Sequence, residues 1–299
     1  DNGANIEAKD VDGFTALLKS SKVNAKETAK LLIDRGANIE AINNEEENAL
    51  MIAARSNFLE FASLLLDNEA NIESENFEIW SPLLNATAKN NKEMAQLLID
   101  GGASIETGDY GWPPIIIAAQ KGSKEVLELL IKRGANIETV DFRGCTPLMI
   151  ACSNNSKDII EKKKKKGANV HSRDSLGRTP LIIAVRYDAK FAVETLFKNG
   201  VKPEDKDFEG NTALIVASEV NTKEIISLLL EKGAKLETQN NEGWTALMTA
   251  VNYDSFDAVS YLIEKNANKF VRDNNNHSLL KLSKNAEMRK YLFNQGVTW

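Results

Sequence analysis

The stretch DSLGRTPL, residues 174–181, contains the two local signals that decide the fold. Its Asp-x-x-Gly part has the chemistry of a tight turn, because an Asp side chain bonds to nearby backbone groups and glycine accepts a left-handed conformation. Its Thr-Pro part predicts the start of a helix, with Thr179 as the N-cap and Pro180 at the first helical position, where a missing N–H costs nothing. A turn followed at once by a capped helix is therefore expected.

The same signals recur along the chain at an almost constant spacing. The helix-start landmark occurs at Thr15, Asn48, Ser81, Pro113, Thr146, Thr179, Thr212, Thr245 and His277. A Gly-Ala pair or a variant of it recurs in steps of 33 residues, apart from one step of 32, at Gly3, Gly36, Glu69, Gly102, Gly134, Gly167, Gly200, Gly233 and Asn266. Self-similarity at a fixed period of this length indicates a repeat array.

Each repeat is predicted to contain two helices and a projecting loop. After the first helix, a polar break such as residues 121–124 precedes an apolar second helix, for example residues 126–131. Gly134 is expected to end that helix by supplying the left-handed position that follows it. One unit cannot bury both helical faces alone, so neighbouring units must stack.

This pattern resembles the ankyrin repeat, and the resemblance covers the whole chain. The period of about 33 residues, the Thr-Pro-Leu segment and the pair of helices all match, as in residues 174–181 and 228–234. The family's His after Leu is replaced by Leu, Met or Ile, so apolar packing is expected in place of a polar network between repeats. The resemblance implies an all-α protein, an ankyrin-repeat solenoid of about nine helix-turn-helix units with hairpin loops in a curved open array.

The repeat spacing also predicts the domain organisation. We expect a single array over residues 1–299, with residues 1–9 as the tail of a preceding repeat. The units are expected to start near residues 10, 43, 76, 109, 141, 174, 207, 240 and 273.

Composition limits the classes of function. The chain has 299 residues and a formal net charge of −6, and an acidic chain is a poor match for a phosphate backbone, so nucleic acid is disfavoured as a partner. No apolar run approaches the roughly 18 residues needed to span a bilayer, so we expect no membrane insertion. Cys145 and Cys152 form no paired framework, which indicates a reducing compartment. A cytoplasmic protein is predicted.

No motif supports catalysis. The chain lacks Cys-x-x-Cys, His-Glu-x-x-His and Walker sequences, and surface or capping roles are expected for His171 and His277. Residues 205–210 imitate the start of a calcium loop, but Val216 stands where the loop requires a bidentate Glu. The Ile-Glu carboxylates recur a whole unit apart, which is too far for an acid/base pair. We therefore predict a non-enzyme with no cofactor, no metal and no small-molecule substrate.

The resemblance implies that targets bind on a concave face made of hairpin tips and first-helix ends. The candidate partner-binding residues at these positions are Phe14, Phe77, Trp80, Tyr110, Trp112, Phe142, Arg143, Arg178, Phe208 and Trp244. Aromatic residues are common anchors in protein interfaces, and Arg143 and Arg178 would pair with an acidic segment. The alternative for any one aromatic is packing against the next hairpin. The predicted function is a monomeric scaffold or adaptor that binds a partner protein or peptide.

Two alternatives stay open. The array would serve as the targeting or substrate-recruiting arm of a larger, truncated enzyme or channel. Otherwise Lys162–Lys166, which stand where other units have Leu and Ile, would support nuclear or nucleic-acid association. A structural explanation competes with the second alternative: an ammonium group cannot stay buried unpaired, so the run would simply make the fifth unit the weakest joint, a tolerated defect.

Overall fold

The computed structural model describes residues 3–106, 112–165 and 167–298, and this part of the chain contains helices and loops but no strand. It forms two compact units, residues 1–142 and 143–299. The first unit contains α1 (Ala16–Lys22), α2 (Lys26–Asp34), α3 (Ala49–Ser56), α4 (Leu59–Asp67), α5 (Pro82–Ala88), α6 (Lys92–Asp100), α7 (Pro114–Lys121) and α8 (Lys124–Lys132). The second unit contains α9 (Pro147–Ser153), α10 (Lys157–Lys165), α11 (Pro180–Arg186), α12 (Lys190–Phe197), α13 (Ala213–Glu219), α14 (Lys223–Glu231), α15 (Ala246–Asn252), α16 (Phe256–Glu264), α17 (Leu279–Leu282) and α18 (Ala286–Asn294).

The odd-numbered helices α1 to α15 begin where the landmark predicts. The capping side chain accepts a hydrogen bond from the backbone N–H three residues later at Thr15, Asn48, Ser81, Thr146, Thr179, Thr212 and Thr245. Pro113 caps α7 without a side-chain bond. In the ninth unit the prediction of His277 as the capping residue is wrong, because α17 begins at Leu279 and its N-cap is Ser278.

The even-numbered helices end as predicted, in a residue with positive φ. Glycine holds this position in most repeats, for example Gly36 at φ 83° and Gly134 at φ 94°. Glu69 and Asn266 replace it at 66° and 67°. The left-handed residue turns the chain out of the second helix into the next hairpin loop.

The core lies between the stacked helices. In the first unit α1, α3, α5 and α7 pack in sequence, and so do α2, α4, α6 and α8; in the second unit α9, α11, α13, α15 and α17 pack in sequence. The first helix of a repeat is buried nearly all round, as residues 49–54 of α3 show, whereas α4 buries one side through Phe61, Ala62 and Leu65. A fully buried Leu or Phe contributes about 1.5–3 kcal/mol, so stacking supplies the stability that one repeat lacks.

A carboxylate at the base of each loop joins one repeat to the next. Oε1 of Glu73 accepts a hydrogen bond from the backbone N–H of Ser104 at 2.7 Å, and Oε1 of Glu237 accepts one from Asn268 at 2.8 Å. The same bond is made by Glu7, Glu40, Glu106 and Glu204. The Ile-Glu residues are thus links between repeats within each unit.

Helix α10 contains most of the lysine run. Its backbone is helical through Lys165, and Ile159 and Ile160 are buried. The side chains of Lys162–Lys166 lie outside the described residues, so the weakness of the fifth unit stays a prediction.

Candidate protein-binding surface

A turn with a fixed hydrogen-bond pattern positions the residue in front of each first helix. Oδ1 of Asn76 accepts the backbone N–H of Trp80 at 2.9 Å, and Oδ1 of Asn240 accepts that of Trp244 at 2.9 Å. The same four-residue bond is made by Asp10, Asn43, Asp174, Asp207 and Asp273. The turn therefore places Trp80 and Trp244 between a hairpin loop and the first helix that follows.

The first unit has a small apolar cavity between the third and fourth repeats, which we name the tryptophan cavity. It has a volume of about 260 Å³ and is lined by Ile79, Trp80, Leu84, Trp112 and Ile117, together with Glu78, Gln120 and Lys121. Leu84 and Ile117 come from first helices and the tryptophans from the loops before them. The lining carries one negative and one positive group, so the cavity suits an apolar side chain.

Ile79 forms part of this cavity in a costly conformation. Its φ is 62°, whereas the same place in other hairpins belongs to Gly13, Gly177, Gly210 and Gly243. A left-handed conformation costs a residue with a Cβ about 1–2 kcal/mol, and β-branching makes it worse. Backbone strain of this kind is found where function requires a particular side chain.

A wider cavity of about 670 Å³ adjoins the other side of Trp80. Phe77, which is 71% exposed, lines it together with Lys89 and Lys121. Its charged wall is an ion pair in which both Arg55 guanidinium ends bond to the carboxylate of Glu47, whose side chain is 6% exposed.

The second unit has a cavity of different character, which we name the acidic cavity. It has a volume of about 490 Å³ and is lined by Phe208, Glu209, Asn211, Ile215, Glu219, Asn240, Asn241, Glu242, Trp244, Thr249 and Tyr253. The indole Nε1–H of Trp244 donates to Oδ2 of Asp273 at 3.2 Å, which fixes the plane of the ring.

Comparisons with known proteins agree with this architecture. The sequence model described as "Ankyrin repeats (3 copies)" matches residues 2–76, 71–141, 138–207 and 202–273. The chain belongs to the ankyrin repeat family. Ankyrin repeats are generally modules for protein–protein interaction, and the family is generally non-catalytic.

Solved structures share the ankyrin fold. The crystal structure of the human ASB11 ankyrin repeat domain superposes with a TM-score of 0.68 at 23% sequence identity, and the match covers 74% of this chain and 99% of that one. No curated protein matches the chain.

The remaining predicted residues of the ankyrin repeats are found in several settings. The rings of Trp112 and Phe142 meet edge to face with centroids 5.6 Å apart, so Phe142 packs against its neighbour. The ammonium group of Lys22 lies 4.5 Å above the ring of Phe14. Tyr110 lies outside the described residues.

The two predicted arginines belong to the hairpins of the second unit. Nε of Arg178 donates to Oδ2 of Asp174 at 2.7 Å, and the Asp174 side chain is fully buried, so this guanidinium supports the turn. The backbone carbonyl of Arg143 accepts the N–H of Ser175 at 2.8 Å. Neither contact brings these arginines to the tryptophan cavity or to the acidic cavity.

Several cavity residues are absent from the sequence-based set. Ile79, Thr249 and Tyr253 all line cavities, and two of them break the ankyrin register. Ile79 stands at a glycine position, and Thr249 stands where Ile183 and Val216 are found in other repeats. Such departures from a repeat are the signal that would have identified them.

Chemistry beyond binding finds little support among the described residues. Burial raises the pKa of the Cys152 thiol to about 12, which keeps it protonated and unreactive. No cluster of His, Cys, Asp or Glu suited to a metal ion occurs in residues 3–106, 112–165 and 167–298.

None of the helices in the described residues is long and apolar enough to cross a membrane.

Proposed function

We propose that this chain is an adaptor that binds a partner protein or peptide along the face formed by hairpin loops and first helices. The observation that carries the proposal is the tryptophan cavity, where Trp80 and Trp112 from successive repeats converge on one apolar space. Tryptophan is among the residue types that dominate binding energy in interfaces.

The geometry supports insertion of an apolar anchor from the partner. The indoles of Trp80 and Trp112 are half-buried, so they are already ordered before the partner arrives. Pre-ordering reduces the entropy that binding has to overcome. The exposed ring of Phe77 beside the cavity extends the apolar contact.

The strain at Ile79 gives independent support. A glycine or asparagine there would relax the backbone, as Gly243 and Asn276 do in their hairpins. The chain instead keeps an isoleucine whose side chain completes the cavity wall. A stability cost retained at a cavity is expected when the side chain serves binding.

The adaptor is proposed to act by binding alone, as a monomer in the cytoplasm, with its repeats forming one array. Two observations support a reducing compartment and a non-catalytic role: Cys145 and Cys152 are both free and buried. A stable and specific complex would bury at least roughly 1,000 Å².

The test compares proteins retained by three forms of the chain. The variant Trp80→Ala/Trp112→Ala/Trp244→Ala removes the aromatic anchors, and Leu31→Ala/Phe293→Ala removes similarly exposed apolar groups from α2 and α18. Circular dichroism first establishes that all three forms are folded. Quantitative mass spectrometry of the retained proteins is expected to show partners that the native chain and the control bind and the tryptophan variant loses.

Retention of the same proteins by all three forms would refute the proposed face. Loss of partners from the control as well would assign binding to the second helices.

A further inference from the structure

The acidic cavity has a one-sided charge. Its lining contains three carboxylates, those of Glu209, Glu219 and Glu242, and includes no lysine or arginine. Aromatic rings stand beside them, since Phe208 is 68% exposed, Tyr253 is 54% exposed and Trp244 is half-buried.

The internal contacts leave this charge only partly compensated. Both carboxylate oxygens of Glu219 accept bonds of 3.1 Å from the guanidinium of Arg186. Oε2 of Glu209 accepts one bond from the neutral amide of Asn211 at 3.1 Å. The carboxylate of Glu242 bonds to no residue in the described part of the chain. One positive group therefore faces three negative groups.

The phenol of Tyr253 reports the resulting field. Its pKa is raised, first by the negative charge of Glu219 and then by burial, and Glu209 and Glu242 act in the same direction while Arg186 opposes them. An acid whose ionised form is disfavoured by nearby carboxylates lies in a negative potential.

A buried hydroxyl points to a missing ligand. Thr249 is 3% exposed and lines the cavity, yet its Oγ1 has no hydrogen-bond partner. A hydroxyl on a first helix can satisfy itself, since Oγ of Ser218 donates to the carbonyl of Leu214 at 2.8 Å. Buried polar groups without partners are rare and need an explanation. An incoming donor or acceptor in the cavity would supply the partner.

Aromatic faces, carboxylates and an unpaired hydroxyl together match one kind of ligand. A cation is attracted to the face of an aromatic ring and bonds strongly to carboxylates. We propose that the acidic cavity binds a lysine or arginine side chain of the partner, with the rings of Trp244 and Tyr253 and the carboxylates of Glu209 and Glu242 around its charge and Oγ1 of Thr249 accepting one of its N–H groups. This inference rests on the proposed function and names the partner's chemistry at one place on the surface.

The test uses the indole N–H signal of Trp244 in a ¹⁵N-labelled chain, assigned with Trp244→Phe. The probes are the capped peptide Gly-Arg-Gly-Arg-Gly, its lysine counterpart, its neutral citrulline counterpart, and spermidine as a free cation. The arginine or lysine peptide is expected to shift the signal in a saturable way, and the citrulline peptide is expected to leave it in place. The affinity should fall at high ionic strength because exposed charges are screened.

Variants assign the effect to the cavity. Glu209→Gln/Glu242→Gln is expected to weaken peptide binding about tenfold, since it removes two charges around the cation. Glu264→Gln/Glu287→Gln makes the same change of net charge on α16 and α18 and is expected to bind within about twofold of the native chain. Thr249→Val is expected to keep the native melting temperature and bind about threefold more weakly.

Any of four results would overturn the inference: equal binding of the citrulline peptide, equal weakening by both glutamine variants, native affinity in Thr249→Val, or an equal response to spermidine. These failures differ from a failure of the proposed function. If the tryptophan variant loses partners in the retention experiment while the basic peptides fail to bind, the binding face stands and only the cationic ligand is wrong.

Discussion

The tryptophan cavity and the acidic cavity are built by the same device and differ in chemistry. In each, a side-chain oxygen four residues earlier, from Asn76 or Asn240, positions a tryptophan before a first helix. The tryptophan cavity then gathers aliphatic groups and balanced charge, whereas the acidic cavity gathers carboxylates. The repeat thus sets where a side chain lies, and a few variable positions set what it binds.

The largest expected effect concerns a glycine that the acidic cavity needs and the tryptophan cavity lacks. A Cβ at Gly243 would lie 2.8 Å from the backbone nitrogen of Asn274, at a φ of 81°. Gly243→Ala should therefore lower the free energy of unfolding by about 2–3 kcal/mol and shift the signal of the adjacent Trp244. Urea denaturation followed by circular dichroism measures the loss.

The matched control for that variant is Gly233→Ala, at a φ of 88° with no atom near the added Cβ. It carries the conformational cost alone and should lose about 1 kcal/mol. Equal losses in the two variants would show that the close approach of the next hairpin has no weight.

The links between repeats should behave alike in both units. Glu73→Ala and Glu237→Ala each remove a charged acceptor from a backbone N–H of the next repeat. Each should cost about 1 kcal/mol, measured as a shift in the urea midpoint. Glu264→Ala, an exposed carboxylate at the end of α16, should cost less than about 0.5 kcal/mol. A large difference between Glu73→Ala and Glu237→Ala would mean that the two units do not share this element.

Relief of strain should separate stability from binding in the tryptophan cavity. Ile79→Asn replaces a β-branched residue at φ 62° by a residue that tolerates this conformation, as Asn276 does. Stability should rise by about 0.5–1 kcal/mol, while retention of partners falls because the cavity loses a wall. Glu46→Asn relaxes the equivalent position at φ 57° outside the tryptophan cavity and should leave retention unchanged.

A fall in the stability of Ile79→Asn would show that packing of the isoleucine outweighs its backbone strain.

The smallest effect distinguishes the electrostatics of the acidic cavity. Because the pKa of Tyr253 is raised, chiefly by Glu219, the folded chain keeps the phenol proton at a pH where the unfolded chain releases it. The contribution of Tyr253 to stability therefore declines as pH rises above the ordinary tyrosine pKa of about 10. Glu219→Gln should bring its ionisation to lower pH, detected by tyrosinate absorbance after subtraction of a Tyr253→Phe spectrum. An unchanged titration would show that Glu219 is not the source.

Local signals predicted most of the fold. The Thr-Pro pair at Thr179 and Pro180 is enough to start a helix, because the capping bond and the fixed proline φ involve only adjacent residues. The ninth unit has no such pair. A step of 33 from Thr245 leads to Ser278, and the prediction of His277 failed because it followed the shape of the motif instead of the spacing.

The candidate site was less accessible to sequence reasoning. Trp80, Trp112 and Trp244 lie directly before a capping residue, as predicted, since the register alone decides this. Their cavities depend on how side chains from two repeats converge, which spacing does not reveal. Arg178 illustrates the limit: it was expected to face an acidic partner, yet it bonds to Asp174, four residues earlier in its own turn.

The carboxylate at the base of each loop has a consequence for how such a chain lengthens. Oε1 of Glu237 belongs to one repeat and the N–H of Asn268 to the next, and the equivalent pair at Glu73 and Ser104 is offset in the same direction. A gene duplication that inserts 33 residues would copy an acceptor and a donor together, so both new junctions would be complete at once. Ankyrin chains of this type can gain or lose whole repeats in evolution without compensating substitutions at the seam.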